Sequence, residues 1–230
     1  MIRVLGLILL IGLYLLSLFF KFSGNPLALY SIGFLTIYVS ILWFLKGYFE
    51  LGLDNVRGQF YVIMSIAFLF HGLSFFFFAK LTDIFTFGLL GVIFMTIARF
   101  FFFAGNFRYI WFFQSSGYYL TFTRLIMVLI LFSAIFAATF YIPNVVDIFK
   151  NMSPYILFII LDWGMVFIVV YNLFLLWGTE IGKRWAIGAF VVSFFLFGDA
   201  TFLAQVNAIY PYVLWATADT LMALIAFIRD

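Results

Sequence analysis

Residues 154–177 read PYILFIILDWGMVFIVVYNLFLLW. This run carries one charged side chain, Asp162, and as a helix it is long enough to cross the roughly 30 Å hydrocarbon core of a bilayer. Comparable apolar runs recur along the whole chain of 230 residues, of which 67% are hydrophobic and 9% are charged. An average soluble domain has about 25% charged residues. The sequence therefore predicts an all-α, polytopic membrane protein whose surroundings are the lipid bilayer.

Eight apolar runs, separated by short polar or glycine-containing segments, predict eight membrane-spanning helices. They cover residues 4–20, 27–48, 59–79, 83–104, 118–141, 154–177, 183–205 and 209–228. Residues 105–117 are aromatic and weakly polar, and we expect a connector there. The turn at residues 80–82 is so short that the helices on either side of it must be antiparallel neighbours. The first run also has features of a cleaved signal peptide, but its length and the lack of a clear cleavage site favour a retained helix.

Basic residues divide unequally between the two sides of the membrane that eight alternating spans define. The side with both termini would carry Arg3, Lys46, Arg57, Arg108, Lys183, Arg184 and Arg229, and the other side Lys21, Lys80 and Lys150. Basic residues concentrate in cytoplasmic loops. We therefore expect an integral protein of the cell (cytoplasmic) membrane with both termini in the cytoplasm. Arg99 and Arg124, near helix ends, are expected to reach the phosphate layer with their long side chains.

The chain contains no cysteine and a single histidine, His71. This composition excludes disulfides, thiolate metal sites, iron–sulfur clusters, thiol nucleophiles and a haem held by two histidines. The formal net charge of +3 is too small to indicate nucleic-acid binding. We expect no cofactor, no metal site and no nucleic-acid partner.

Helices two to four and helices six to eight share a pattern of aromatic, glycine, acidic and basic residues. It runs Trp43, Gly47, Glu50 and Arg57 in the first set, and Trp177, Gly178, Glu180 and Arg184 in the second. A polar residue beside a glycine follows in each middle helix, His71 in one set and Asp199 in the other. This predicts a single membrane domain over residues 1–230, with two parallel three-helix repeats at 26–104 and 154–229. Residues 118–141 form the linker helix and residues 1–22 an extra helix. The alternative is that short cytoplasmic loops simply look alike.

The segment joining helices two and three resembles the microbial rhodopsins. Phe44-Leu45-Lys46-Gly47-Tyr48 is followed by DNVRGQFYVI at residues 54–63. Proton-pumping members of that family have Phe-x-x-Lys-Gly, then Asp, basic residues and Phe-Tyr-Ala-Ile. Asp219 falls where the family keeps an aspartate beside its retinal. The resemblance implies a seven-helix, opsin-like core with one additional helix at the amino terminus.

Two departures from the family pattern concern the retinal itself. The family attaches retinal to a lysine four residues after the last-helix aspartate, and this chain has Ala223 there. The family's third helix has an arginine followed by a carboxylate, whereas the matching helix here has Asp83 at its outer edge and Arg99 near its inner end. The resemblance therefore implies a retinal-free relative.

Four ionisable side chains lie deep in the predicted spans, and they are His71, Asp162, Asp199 and Asp219. Charges in hydrocarbon are costly, so each is a functional candidate. We predict that they converge on one outward-facing acidic pocket with Trp163 and Trp215 as aromatic walls. Such a pocket would bind a small cation, a proton or an apolar ligand. The alternative is that each acid bonds a neighbouring Thr, Tyr or Trp and only fixes helix packing.

These features favour a non-enzymatic membrane bundle that acts as a transporter or as a sensor subunit. A sensor would need a membrane or cytoplasmic partner protein to carry its output, and a homo-oligomer is compatible with either role. Two alternatives remain at this stage. One is an intramembrane, lipid-modifying enzyme that uses an aspartate pair for acid–base chemistry. The other is a structural subunit of a larger membrane complex.

Overall fold

The computed structural model describes residues 2–79, 86–150, 156–204 and 209–227. Their helices are α1 (Ile2–Phe22), α2 (Ala28–Leu45), α3 (Val56–Ala79), α4 (Thr86–Ser115), α5 (Phe122–Thr139), α6 (Val145–Lys150), α7 (Ile156–Leu175), α8 (Glu180–Leu203) and α9 (Tyr210–Phe227), and a π-helical turn, Lys46–Leu51, continues α2. All except α6 are long and apolar enough to cross a membrane, which makes eight candidate spans. No strand occurs in these ranges. The prediction of an all-α polytopic bundle with eight spans is confirmed.

The connector expected at residues 105–117 is wrong, because α4 continues through it to Ser115. Gly105 does not end the helix, and its missing side chain leaves room for Ile63 of α3, whose Cγ2 would lie 3.2 Å from an added Cβ. The helix ends at Ser115, and Gly117, two residues later, has a φ of 89°. There the Tyr118 N–H donates to the Phe113 carbonyl at 3.0 Å, and the two rings touch. This is a Schellman ending, in which glycine takes the left-handed conformation that other residues avoid.

The non-helical segment between α2 and α3 is shorter than the sequence predicts. The predicted helices leave residues 49–58 between them, but the π-helical turn reaches Leu51 and α3 begins at Val56. The predicted turn at residues 80–82 and Asp83 lie outside the described residues.

The chain divides into two compact units. Unit 1 comprises residues 1–105 and 219–230, and unit 2 comprises residues 106–218. The boundaries fall within α4 and α9. The predicted single domain of two parallel helix triplets stays a prediction.

In unit 1, α2 and α3 form an antiparallel hairpin with small residues facing each other at three levels seven residues apart. The facing pairs are Gly33 with Gly72, Ser40 with Ser65, and Gly47 with Gly58. An added Cβ on Gly33 would lie 3.0 Å from the Gly72 carbonyl oxygen, and one on Gly47 would lie 2.7 Å from the Gly58 oxygen. Between them, the Ser40 hydroxyl donates to the Ser65 carbonyl at 2.7 Å. Small residues at this spacing let two helix backbones touch, which is how helices associate in lipid.

The second half of α9 belongs to unit 1 and runs parallel to α2. Thr36, Trp43 and Lys46 bond in turn to Asp219, Met222 and Ala226, so the residue numbers rise together. Two helices six spans apart point the same way when each helix between them crosses the membrane, which agrees with eight spans. Gly6 of α1 also lies against Phe227, so the start of α1 meets the end of α9. Which side of the membrane holds this end stays a prediction.

In unit 2, α7 and α8 form a second hairpin. Gly178 takes a φ of 88° after α7, and the Thr179 hydroxyl caps α8 by accepting from the Gly182 N–H at 3.0 Å. α5 packs on α7, and α6 lies against the end of α8, where Val145 meets Ala200 and Ala204. The first half of α9 completes this unit.

Candidate functional site

Among the described acids of unit 1, the most deeply buried is Asp219, in the middle of α9. Its side chain is 0% exposed. The Thr36 hydroxyl of α2 donates to Asp219 Oδ2 at 2.6 Å. The other carboxyl oxygen, Oδ1, is also buried and makes no hydrogen bond within the part of the chain that the structure describes. One oxygen of the carboxyl group is therefore hydrogen-bonded, and the other is buried without a hydrogen-bond partner among the described residues.

The Thr36 hydroxyl has a choice of acceptors. Its oxygen lies 2.6 Å from Asp219 Oδ2 and 3.0 Å from the Ile32 carbonyl oxygen, one turn earlier in α2. A hydroxyl has one proton to donate and can accept at the same time. It can therefore donate to a carboxylate at Asp219, or accept from a carboxylic acid there while donating to Ile32. The pair accommodates Asp219 both with and without a proton.

Two buried side chains of the α2 segment hold α9 on the carboxyl-terminal side of Asp219. The Trp43 indole Nε1 donates to the Met222 carbonyl at 2.9 Å, and Lys46 Nζ donates to the Ala226 carbonyl at 3.3 Å. The Lys46 ammonium also lies 5.5 Å from the centre of the Tyr61 ring. A cation at a helix carboxyl terminus is favourable because the last carbonyls lack partners within the helix. These contacts fix the position of Asp219 against Thr36.

The other predicted site residue of unit 1 is His71, on α3. It is half-buried, and its ring stacks on Phe75 with ring centroids 5.0 Å apart. The Ser74 hydroxyl donates to the His71 carbonyl at 2.6 Å, a bond within one turn of the helix. The predicted convergence of His71 with the acids on one pocket stays a prediction.

In unit 2, Asp199 is bonded to Trp215. The indole Nε1 of Trp215 donates to Asp199 Oδ1 at 2.8 Å, and both side chains are buried. The preceding residue, Gly198, makes this contact possible, because a Cβ there would lie 2.6 Å from Trp215 Nε1. Trp215 is thus a hydrogen-bond donor to Asp199 in addition to being an aromatic surface. This local bond is the kind of contact that fixes helix packing.

Asp162 and Trp163 are neighbours on α7. Asp162 is completely buried. The Trp163 indole Nε1 donates to the Thr139 hydroxyl oxygen of α5 at 3.2 Å. The same indole contacts three phenylalanine rings: it stacks on Phe149 and lies tilted against Phe136 and Phe140. Trp163 is therefore held in an aromatic cluster between α5, α6 and α7.

The structure places the six predicted site residues in two groups. Unit 1 contains His71 and Asp219, and unit 2 contains Asp162, Trp163, Asp199 and Trp215. Of these, Asp199 and Trp215 are brought into direct contact. The convergence of all of them on one outward-facing pocket stays a prediction.

Two buried polar features were missed or misjudged from the sequence. Arg99 was expected near a helix end, but α4 continues to Ser115, so Arg99 lies in mid-helix, is 4% exposed and donates to the Met95 carbonyl. In unit 2, the buried Asn172 side chain donates to Asn106 Oδ1 at 3.1 Å. Asn106 lies in the segment expected to be a connector, and Asn172 is uncharged, so a search for ionisable residues in apolar runs does not select it. The sequence feature that indicates such a pair is an uncharged amide side chain within an apolar run.

Among the described residues, no group of three or more His, Asp or Glu side chains could hold a metal ion. The chain matches no known family model, no curated protein and no solved structure. The relationship to microbial rhodopsins therefore stays a prediction from the residues of the α2–α3 segment.

Proposed function

We propose that this integral membrane protein binds a proton at Asp219 and acts as a transporter or as a sensor subunit. The observation that carries the proposal is the bond between Asp219 and Thr36 at 2.6 Å, with the second carboxyl oxygen buried and lacking a hydrogen-bond partner among the described residues. A proton needs one oxygen atom and one neighbouring acceptor, and Asp219 and Thr36 supply both.

The free-energy cost of placing an aspartate within a membrane helix supports a functional role for the Asp219 carboxyl group. An aspartate at the centre of a membrane helix costs roughly 2.5–3.5 kcal/mol on insertion scales. Asp219 occupies such a position in α9 and is completely buried. If the residue served packing alone, an apolar side chain would cost less free energy, since well-packed hydrophobic residues often replace buried polar ones without loss of stability.

Proton binding at Asp219 would be transmitted to α2 through Thr36. In the ionised state the Thr36 proton points at Asp219, and in the protonated state it points at the Ile32 carbonyl. The Ile32 carbonyl is a backbone group of α2, so this bond changes with the charge of a side chain on α9. Reorientation of the Thr36 hydroxyl would couple the charge of Asp219 to the hydrogen bonding of α2. A transporter or a sensor needs such a link between a charge change and a neighbouring helix.

Infrared difference spectroscopy of the reconstituted protein tests the proposal directly. On pH titration we expect a carboxylic-acid carbonyl band that disappears in Asp219→Asn and shifts in Thr36→Val, which keeps the side-chain shape and removes the hydroxyl. Thr36→Ser, which keeps the hydroxyl, should retain the band. Asp199→Asn is the matched control, because it neutralises another buried acid and should leave the band in place.

Three outcomes would contradict the proposal. One is a titrating band that survives in Asp219→Asn. Another is an equal loss of the folded protein in Asp219→Asn and Asp199→Asn, which would assign both acids to helix packing. The third is no titrating carboxyl band at all in the wild-type protein.

A further inference from the structure

Unit 2 contains a pair of buried amide side chains, Asn106 on α4 and Asn172 on α7. Both residues are 0% exposed. Asn172 Nδ2 donates to Asn106 Oδ1 at 3.1 Å, and this bond joins the two helices. Asparagine side chains form bonds of this kind between helices within a membrane. The pair is therefore an uncharged polar contact in the interior of the unit.

The Asn172 side chain uses only part of its hydrogen-bonding capacity. Its carbonyl oxygen, Oδ1, is buried and has no hydrogen-bond partner among the described residues. The amide nitrogen has two protons, and within the part of the chain that the structure describes it donates one hydrogen bond, to Asn106. Buried polar groups are nearly always bonded to protein or to ordered water, because an unsatisfied one destabilises the fold. Asn172 thus offers a further molecule an acceptor and a donor.

The packing of α8 against α7 leaves room for a small molecule beside Gly188. This glycine is buried, and a Cβ added to it would lie 3.6 Å from Val169 Cγ1 and 3.8 Å from Trp185 Cε3, its nearest neighbours among the described atoms. Carbon atoms in favourable contact are about 3.5–4.0 Å apart. A methyl group would therefore fit at this position without displacing any described atom.

The amide pair and this space are lined by the same three helices. Asn172 lies one turn after Val169 on α7, and helical side chains lean toward the amino terminus of their helix, so the Asn172 amide lies over the level of Val169. Trp185 of α8 reaches Tyr109, with ring centroids 5.4 Å apart, and Tyr109 lies one turn after Asn106 on α4. Helices α4, α7 and α8 therefore meet around both features.

We propose that a water molecule bound to the Asn172 amide occupies the space beside Gly188. The water donates to Asn172 Oδ1 and accepts from the second Nδ2 proton. These are two of the two to four hydrogen bonds that buried waters typically make, whereas a wholly apolar space of this size stays dry. The bound water satisfies the buried carbonyl of Asn172 and links α7 to α8 across the glycine. The proposal is independent of proton binding at Asp219.

Water-edited solid-state NMR of the full-length protein in lipid bilayers tests the proposal. We expect magnetisation from water to reach the side-chain amide of Asn172, assigned through its own backbone resonances. In Gly188→Ala the methyl group takes the place of the water, so this transfer should fall several-fold. Gly12→Ala is the control, because it adds the same methyl group on α1, where no described atom lies within 4 Å of the added Cβ, and should leave the transfer unchanged.

The unfolding equilibria of the same two variants give an independent measurement. Both variants gain the same helix propensity, so the difference between them reports the loss of the water. The unfolding equilibrium constant of Gly188→Ala should exceed that of Gly12→Ala by about fivefold or more, because displacement of the water leaves a buried acceptor unsatisfied. An absence of transfer to Asn172 in the wild-type protein, an unchanged transfer in Gly188→Ala, or equal stability of the two variants would each overturn the proposal.

Discussion

Replacing Gly47 by alanine tests whether close backbone contact holds the α2–α3 hairpin together. The added Cβ would lie 2.7 Å from the Gly58 carbonyl oxygen and 2.8 Å from the Cβ of Tyr61. Carbon atoms in favourable contact lie about 3.5–4.0 Å from their neighbours, so the helices must separate by roughly 0.5–1 Å. Both obstructing atoms belong to the backbone or are attached to it directly, so a change of rotamer cannot remove the clash.

The magnitude follows from three terms. Inserting a group into a well-packed contact costs about 1–3 kcal/mol. Separation of the hairpin would also stretch the 2.7 Å bond from Ser40 to Ser65 at the next level, and an interhelical bond of this kind contributes about 0.6 kcal/mol. Alanine recovers up to about 1 kcal/mol through its higher helix propensity. We expect a net destabilisation of about 1–3 kcal/mol.

Reversible unfolding in mixed detergent micelles, followed by circular dichroism, measures the difference. The control is Gly12→Ala on α1, where an added Cβ would have no atom of the described residues within 4 Å. That variant should be neutral or slightly more stable, since it gains helix propensity without a clash. Equal stability of Gly47→Ala and Gly12→Ala would refute the reasoning, because it would mean that the hairpin has room for a methyl group.

Three further predictions follow from the bonds and charges described above. Trp215→Phe removes the donor to buried Asp199 Oδ1 and should destabilise the protein by about 1–3 kcal/mol. In a double-mutant cycle of unfolding free energies, its effect should be markedly non-additive with that of Asp199→Asn, and additive values would argue against the bond. Because the chain has no native cysteine, the single variants Asp147→Cys and Asp54→Cys report the orientation of the protein to a membrane-impermeant thiol reagent. Labelling from outside is expected at position 147 and not at position 54. The opposite pattern would invert the topology. Retinal should form no borohydride-reducible adduct, since Ala223 occupies the position of the family's lysine, and a stable coloured adduct would contradict this.

Apolar runs alone predicted the fold class and the number of spans. Hydrocarbon offers no hydrogen-bond partners to the backbone, so a spanning segment has to be a helix or a strand of a closed barrel. Runs of the length seen at residues 154–177 suit only the helix. Helix ends were less legible. Aromatic residues at 105–115 suit an interface and a helix equally well, and the true stop was Gly117, whose left-handed conformation ends α4.

The same runs carried little information on which helix faces meet, because an apolar helix in lipid is hydrophobic on every side. Asp219, Asp199 and Asp162 could be recognised as costly residues in apolar runs, but their partners could not. Thr36 is 183 positions from Asp219 in the chain, and only the parallel packing of α2 on α9 brings the two side chains to 2.6 Å. Similarly, Trp215 reaches Asp199 because Gly198 leaves room for the indole. Local composition determines that a segment enters the membrane, whereas contacts between distant helices depend on shape, and only the tertiary structure decided them.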